Sequence, residues 1–176
     1  MRRKQYRDHR FEQHGAALKS IPPDELIHII QYWLNQDWPL TEQQAKQACR
    51  NLDWTENEEG NFNTPYDFKI NIASLGVNLE NRQLSLASFW ISDVLHEESR
   101  EREFLLNDLF TRYVNTLKAT WGKPKLSRNK NSHEASWLTL FKGCRVDIAK
   151  RKASLSCYIY SPEYAEVERY LSQRGL

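Results

Sequence analysis

The side chains of this sequence that could support metal or acid–base chemistry are spread along the chain. Its histidines stand at five separate positions, His9, His14, His28, His96 and His133. None is paired at i,i+4 spacing with another histidine or set in an H-E-x-x-H frame, so we expect no metal site. His96 precedes two glutamates at the junction of a predicted strand and a predicted helix, which makes it the one candidate for acid–base catalysis. An enzyme built around His96 stays as an alternative hypothesis.

The cysteine and glycine patterns also point away from catalysis. Cys49, Cys144 and Cys157 are an odd number with no C-x-x-C spacing, so we expect buried free thiols. The glycines form neither G-x-G-x-x-G nor G-x-x-x-x-G-K, the loops in which backbone amides approach a phosphate. No G-x-S-x-G elbow marks a nucleophilic serine. We therefore predict a protein that is not an enzyme, has no catalytic residue and no cofactor, and works by binding.

The basic residues are concentrated near the N-terminus. Residues 1–19 carry six of the 25 basic residues and two of the 23 acidic ones, which leaves residues 20–176 with a net charge of −2. Arginine and lysine beside aromatic residues can neutralise phosphates and stack on bases. One alternative function is therefore a nucleic-acid-binding accessory protein, extended by a predicted basic loop over 123–134. The candidate contacts in the N-terminal segment are Arg2, Arg3, Lys4, Arg7 and Arg10.

Composition predicts one domain with its own core. The chain has 176 residues, of which 40% are hydrophobic and 27% charged, which are ordinary globular values. No apolar run approaches the roughly 18 residues that cross a bilayer, and the N-terminus lacks the apolar stretch of a signal peptide. We predict a loosely ordered basic arm over residues 1–19, a single domain over residues 20–176, and a cytoplasmic location.

Four helices are predicted from capping residues and apolar spacing. A proline pair ending at Pro23 opens the first, and Thr41 with Gln44 forms a capping box for the second. The longest spans 97–121, with glutamates in its first turns, where they suit the helix dipole. Ser161 caps the last helix.

Alternating apolar residues predict the strands. The predicted runs cover 68–72, a hairpin through 75–86 that continues to 91, and three short strands at 136–142, 144–149 and 155–160. The sum is an α+β fold, with an antiparallel sheet of about five strands and helices packed mainly on one face.

Two groups of residues are predicted to contact a partner. If Cys157 and its alternating neighbours face the core, the opposite face of the last strands presents aromatic and charged groups. Tyrosine and arginine carry much of the energy of protein interfaces. An acidic stretch between the second helix and the first strand could attract a basic partner. The predicted contacts are Tyr158, Tyr160, Arg145 and Asp147 on the sheet, and Glu56, Glu58 and Glu59 in the acidic stretch.

A family resemblance gives the positive hypothesis of function. The segments Ile21-Pro22-Pro23-Asp24-Glu25-Leu26, Asp37-Trp38-Pro39-Leu40-Thr41-Glu42 and Leu52-Asp53-Trp54-Thr55 resemble an uncharacterised bacterial domain family over about residues 21–95. Members of that family are often encoded beside polymorphic toxins, so the resemblance implies an immunity protein; no functional residue is carried over from it.

The predicted function is therefore a cytoplasmic immunity protein that binds and neutralises a cognate toxin domain. An adaptor or a secretion chaperone meets the same description, because such proteins too are defined by the protein that they bind.

Overall fold

The computed structural model describes residues 7–176, and this part of the chain folds into four helices and ten strands. The helices are α1 (Pro23–Leu34), α2 (Glu42–Asn51), α3 (Arg100–Trp121) and α4 (Pro162–Gln173). A first pair of strands, β1 (Arg10–Gln13) and β2 (Ala16–Lys19), forms a separate hairpin. Among the described residues, no helix is both long and apolar enough to cross a membrane.

The remaining strands form one antiparallel sheet. They are β3 (Thr55–Glu56), β4 (Phe62–Asn63), β5 (Ile72–Val77), β6 (Leu84–Trp90), β7 (Lys125–Arg128), β8 (His133–Trp137), β9 (Arg145–Lys150) and β10 (Leu155–Tyr160). Their order across the sheet is β3-β4-β5-β6-β10-β9-β8-β7. The α+β class and the antiparallel sheet are confirmed, whereas the predicted number of about five strands is wrong, because the sheet has eight.

The additional strands lie where the sequence has no alternating pattern. β3 and β4 have two residues each, too few to show a period of two. Every residue of β7 is exposed, and the strand lies at the edge of the sheet inside the predicted basic loop. Exposed charged residues are common on edge strands, because they discourage pairing with other chains. The predicted strand over 68–72 is also wrong, since pairing begins at Ile72.

The part of the predicted N-terminal arm that the structure describes contains two strands. Residues 10–19 form the β1–β2 hairpin, in which Phe11 lies opposite Leu18 and both side chains are buried. His14 and Gly15 form its turn, both with positive φ, as a tight hairpin turn requires. Phe11 and Leu18 belong to no alternating apolar pattern in the sequence. Their side chains come together only because the two strands pair. The predicted contacts Arg2, Arg3 and Lys4 lie outside the described residues.

The predicted starts of α1, α2 and α4 are confirmed, whereas the longest helix begins at Arg100 after a Ser99 cap and not at residue 97. The Thr41 Oγ1 accepts a hydrogen bond from the Gln44 backbone N–H at 3.2 Å, and the Gln44 side chain accepts one from the Thr41 N–H at 2.9 Å. Three aromatic rings join α1 to the sheet. The ring centres of Trp33 and Trp54 are 6.1 Å apart, and those of Trp54 and Phe89 of β6 are 5.2 Å apart. The core therefore lies between α1, α3 and one face of the sheet.

Tyr113 of α3 connects the long helix to two other segments. Its side chain is fully buried, and its hydroxyl lies 2.5 Å from the carbonyl oxygen of Ile21 and 3.1 Å from that of Ile91. We expect Tyr113→Phe to lower the free energy of unfolding by about 1–3 kcal/mol, because it removes a buried donor. Urea denaturation followed by circular dichroism measures this. Tyr170→Phe, at a residue that is 52% exposed, is the matched control and should change nothing; an equal loss in both variants would contradict the role of Tyr113.

Candidate functional site

The pleat of the sheet separates a helix-covered face from a second face that we call the outer face. In β10, Leu155, Cys157 and Ile159 are fully buried in the core. The alternating residues Tyr158 and Tyr160 point the other way and are half-buried. The outer face is therefore the side of the sheet that carries these two tyrosines.

An ordered cluster of aromatic and charged side chains occupies one end of the outer face. Arg145 donates from Nε and from its terminal nitrogen to the two carboxylate oxygens of Asp147, at 2.9 and 2.8 Å. The guanidinium carbon of Arg145 lies 5.0 Å from the centre of the Tyr160 ring, and the Tyr160 ring stacks on Tyr164 of α4 at 5.5 Å. The cluster is therefore held in place before any partner arrives.

Asp147 holds this cluster rather than presenting its carboxylate to solvent. Its side chain is 4% exposed and that of Arg145 is 15% exposed. Burial alone would lower the pKa of Arg145, but the hydrogen bonds and the charge of Asp147 raise it above the ordinary value. Asp147 is predicted from the sequence to contact a partner. In the structure its carboxylate is buried and accepts two hydrogen bonds from Arg145.

Tyr158 continues the outer face toward the β9–β10 turn. It lies opposite Asp147 on one side and Ser88 of β6 on the other. Arg151 forms an ion pair with Glu134 at 3.3 Å. Burial would lower the pKa of Arg151, but the Tyr158 hydroxyl and the Glu134 carboxylate raise it. Tyr158 is thus a half-buried residue flanked by polar groups.

Two apolar residues of β6, Trp90 and Leu86, extend the outer face. Neither is among the partner contacts predicted from the sequence. Trp90 pairs in register with Ser156, and Leu86 with Tyr160, and both side chains are half-buried. The sequence contains a signal for these contacts. The run that ends at Ile91 is apolar on both faces, whereas a strand with one solvated face alternates between apolar and polar residues. Together with the tyrosines, Trp90 and Leu86 make a contiguous patch across β6 and β10.

The acidic contacts predicted from sequence lie elsewhere. Glu58 and Glu59 are exposed in the turn between β3 and β4, and the strands β4, β5 and β6 separate β3 from β10. Glu56 already accepts hydrogen bonds from Lys46 at 2.8 Å and Arg50 at 3.2 Å. The hydrogen bond from Lys46 is the main cause that lowers its pKa. The structure therefore does not bring the two predicted groups into one surface.

The described residues of the proposed nucleic-acid contacts are paired within the chain. Arg7 forms an ion pair with Glu25, and its guanidinium lies 3.6 Å from the Asp53 carboxylate. Arg10 forms a longer pair with Asp8 at 3.4 Å. Each of these cations is already partly neutralised, which weakens its attraction for phosphate.

The candidate catalytic groups are placed as follows. Cys49, Cys144 and Cys157 are buried free thiols, as predicted; burial raises the pKa of the first two to about 12 and that of Cys157 well above its ordinary value. A thiol with a raised pKa is a poor nucleophile. His96 is exposed in the loop before α3. Over residues 7–176, no group of three or more His, Cys, Asp or Glu side chains is placed to hold a metal ion.

Fold and face together define an α+β protein whose antiparallel sheet carries α1 and α3 on one side and, beside α4, an ordered aromatic and arginine patch on the other. Within that class, the chain belongs to a family of unknown function, DUF6301, whose model matches residues 24–161. The match includes both tryptophans of the segment that carries the resemblance described above, and it extends through β10. No curated protein and no solved structure is significantly similar to the chain.

Proposed function

We propose that this chain is a protein-binding domain that docks one partner on its outer face, and that the partner is a cognate toxin domain that it neutralises. The observation that carries the proposal is the half-buried patch of Trp90, Tyr158 and Tyr160 with Arg145 fixed beside it. Aromatic residues and arginine dominate the energetic centres of protein interfaces.

The order of the patch supports binding because it reduces the entropy that association costs. The bidentate Arg145–Asp147 pair and the Tyr160–Tyr164 stack restrain long side chains that would otherwise lose rotamer freedom when a partner docks. The resemblance to a toxin-associated family supplies the choice of partner. Glu58 and Glu59, at the far edge of the sheet, contribute long-range attraction to a basic partner without lying in the contact itself.

The nucleic-acid alternative has less support over the described part of the N-terminal segment, because Arg7 and Arg10 are ion-paired there. An adaptor or secretion chaperone would use the same outer face, so the experiment has to read out neutralisation as well as binding. We therefore test the chain by co-expression with the C-terminal domain of a toxin encoded beside its gene, measuring both co-purification and growth rescue.

We expect Trp90→Ala and Tyr158→Ala each to weaken the complex about 30-fold or more, the effect of removing an interface hot spot. Calorimetric titration of the purified partner measures this. Tyr170→Ala is the matched control, because that residue is an exposed tyrosine on α4 whose ring contacts Arg174. Unchanged affinity in Trp90→Ala and Tyr158→Ala would place the contact elsewhere. A tight complex without growth rescue would instead favour an adaptor or chaperone.

A further inference from the structure

A second surface, centred on other residues than the outer face, is a cleft of about 770 Å³. Three segments that are distant in sequence line it: the start of α3, the turn between β7 and β8, and the turn between β9 and β10. Its size is that of a typical small-molecule site. His133 and Lys150 are register partners on the helix-covered side of the sheet, whereas Arg151, which also flanks Tyr158, borders both the cleft and the outer face.

The cleft concentrates positive charge in a domain that is otherwise acidic. The basic residues that line it are Arg100, Arg102, Arg128, Lys130, Lys150, Arg151 and Lys152, and the acidic ones are Glu98 and Glu103. Residues 20–176 hold 19 basic and 21 acidic residues in total. Outside the cleft these residues are therefore strongly acidic, and a diffusing anion is attracted to this one location.

Most of these cations lack a carboxylate partner. Across residues 7–176, Arg102 and Arg151 are the lining cations with a carboxylate oxygen within 4.0 Å, from Glu98 at 3.6 Å and from Glu134 at 3.3 Å. Most arginine and lysine side chains at the other sites described above do have such a partner. A group of unpaired like charges costs electrostatic energy unless an anion joins it.

Burial is the main cause that lowers the pKa values of Lys150 and His133. At Lys150 the charge of Glu103 opposes this change, and the like charge of Arg128 adds a smaller lowering. Burial, Lys150 and Arg128 together lower the pKa of His133. Contacts within the chain order part of the cleft wall. The His133 ring packs edge-on against Phe110 at 6.2 Å, and the Asn129 side chain accepts hydrogen bonds from the backbone N–H groups of Asn131 and Ser132.

We propose that this cleft binds a compact polyphosphate group, with Arg128 and Lys150 as its principal contacts. A polyphosphate carries several negative charges on closely spaced oxygens, which matches a cleft with several unpaired cations. None of the described lining residues is Trp, Tyr or Phe, and the charged side chains that line the cleft suit phosphate groups better than a base. The ligand is therefore recognised through its phosphates, either as a free polyphosphate or as the phosphate tail of a nucleotide.

Calorimetric titration with inorganic tripolyphosphate at low salt tests the proposal. We expect one tripolyphosphate per chain, an affinity that falls as salt is added, and a loss of about tenfold or more in both Lys150→Gln and Arg128→Gln. Lys118→Gln, at an exposed lysine near the end of α3, is the matched control and should bind like the unaltered protein. Arg128 lies on an exposed edge strand, so its replacement leaves the fold intact even if Lys150→Gln does not.

Parallel titrations with ATP and with a short single-stranded RNA distinguish the sources of phosphate. Equal binding of tripolyphosphate and ATP supports recognition of the phosphates alone, and tighter binding of ATP supports a nucleotide. The proposal is overturned if tripolyphosphate does not bind at about 1 mM, if Lys118→Gln loses as much as the cleft variants, or if only the RNA binds. Because Lys150 lies on the helix-covered side of the sheet and the outer face on the other, Lys150→Gln should still bind a protein partner, and the two proposals fail independently.

Discussion

Replacing Asp147 by alanine is expected to lower the free energy of unfolding by about 3–5 kcal/mol, because it leaves the largely buried guanidinium of Arg145 without its hydrogen-bonded counter-charge. The Asp147 side chain is 4% exposed and receives both hydrogen bonds of Arg145. The guanidinium of Arg145 would then either stay shielded from water without its two hydrogen bonds to a carboxylate or move away from the Tyr160 ring. Urea denaturation followed by circular dichroism gives the change.

A double variant separates the cost of an unpaired charge from the loss of packing. Replacing Arg145 by methionine together with Asp147 by leucine removes both charges, and the free energy of unfolding should return most of the way to that of the unaltered protein. Asp67→Ala is a matched control, because its ion pair with Lys19 is at the surface and should contribute less than about 1 kcal/mol. A loss in Asp147→Ala no larger than in Asp67→Ala would show that the pair does not hold the outer face.

Replacing Trp54 by alanine is expected to destabilise the fold by about 3–5 kcal/mol, the range for deleting a large buried aromatic side chain. Trp54 is 2% exposed and lies between Trp33 of α1 and Phe89 of β6. Its loss therefore opens a cavity where a helix packs on the sheet, which neighbouring side chains cannot fill without moving. Thermal and urea denaturation measure the change.

Trp54→Phe keeps an aromatic ring in this position and should lose less than half as much as Trp54→Ala. Leu79→Ala, at a residue that is 82% exposed, serves as the control and should lie within about 0.5 kcal/mol of the unaltered protein. If Trp54→Ala were as mild as Leu79→Ala, the three-ring contact would not be a main support of the core.

The variants that test stability also serve as a reference for the variants that test binding. The outer-face residues Trp90 and Tyr158 are half-buried, and the cleft residue Arg128 is exposed, so their replacement should change stability much less than Trp54→Ala. A loss of binding at these residues without a comparable loss of stability would therefore report on the site itself.

Interactions within a few residues could be predicted from the sequence alone. The Thr41 and Gln44 capping box, the start of α1 at Pro23 and the β5–β6 hairpin all depend on neighbours along the chain. The alternation in β10 correctly separates Cys157 from Tyr158, because side chains of a strand point to opposite faces. The sequence by itself therefore determined the fold class, the four α-helices and the central strands β5, β6, β9 and β10.

Contacts between distant segments were decided only by the tertiary structure. β3, β4 and β7 become strands because partners are present at the sheet edges, and Phe11 is buried because Leu18 lies opposite it. The cleft joins residues near 100, 130 and 150, of which only the middle group is predicted from the sequence as a basic segment. Burial, ion pairing and the convergence of like charges depend on distances in space, which local propensity and periodicity do not contain.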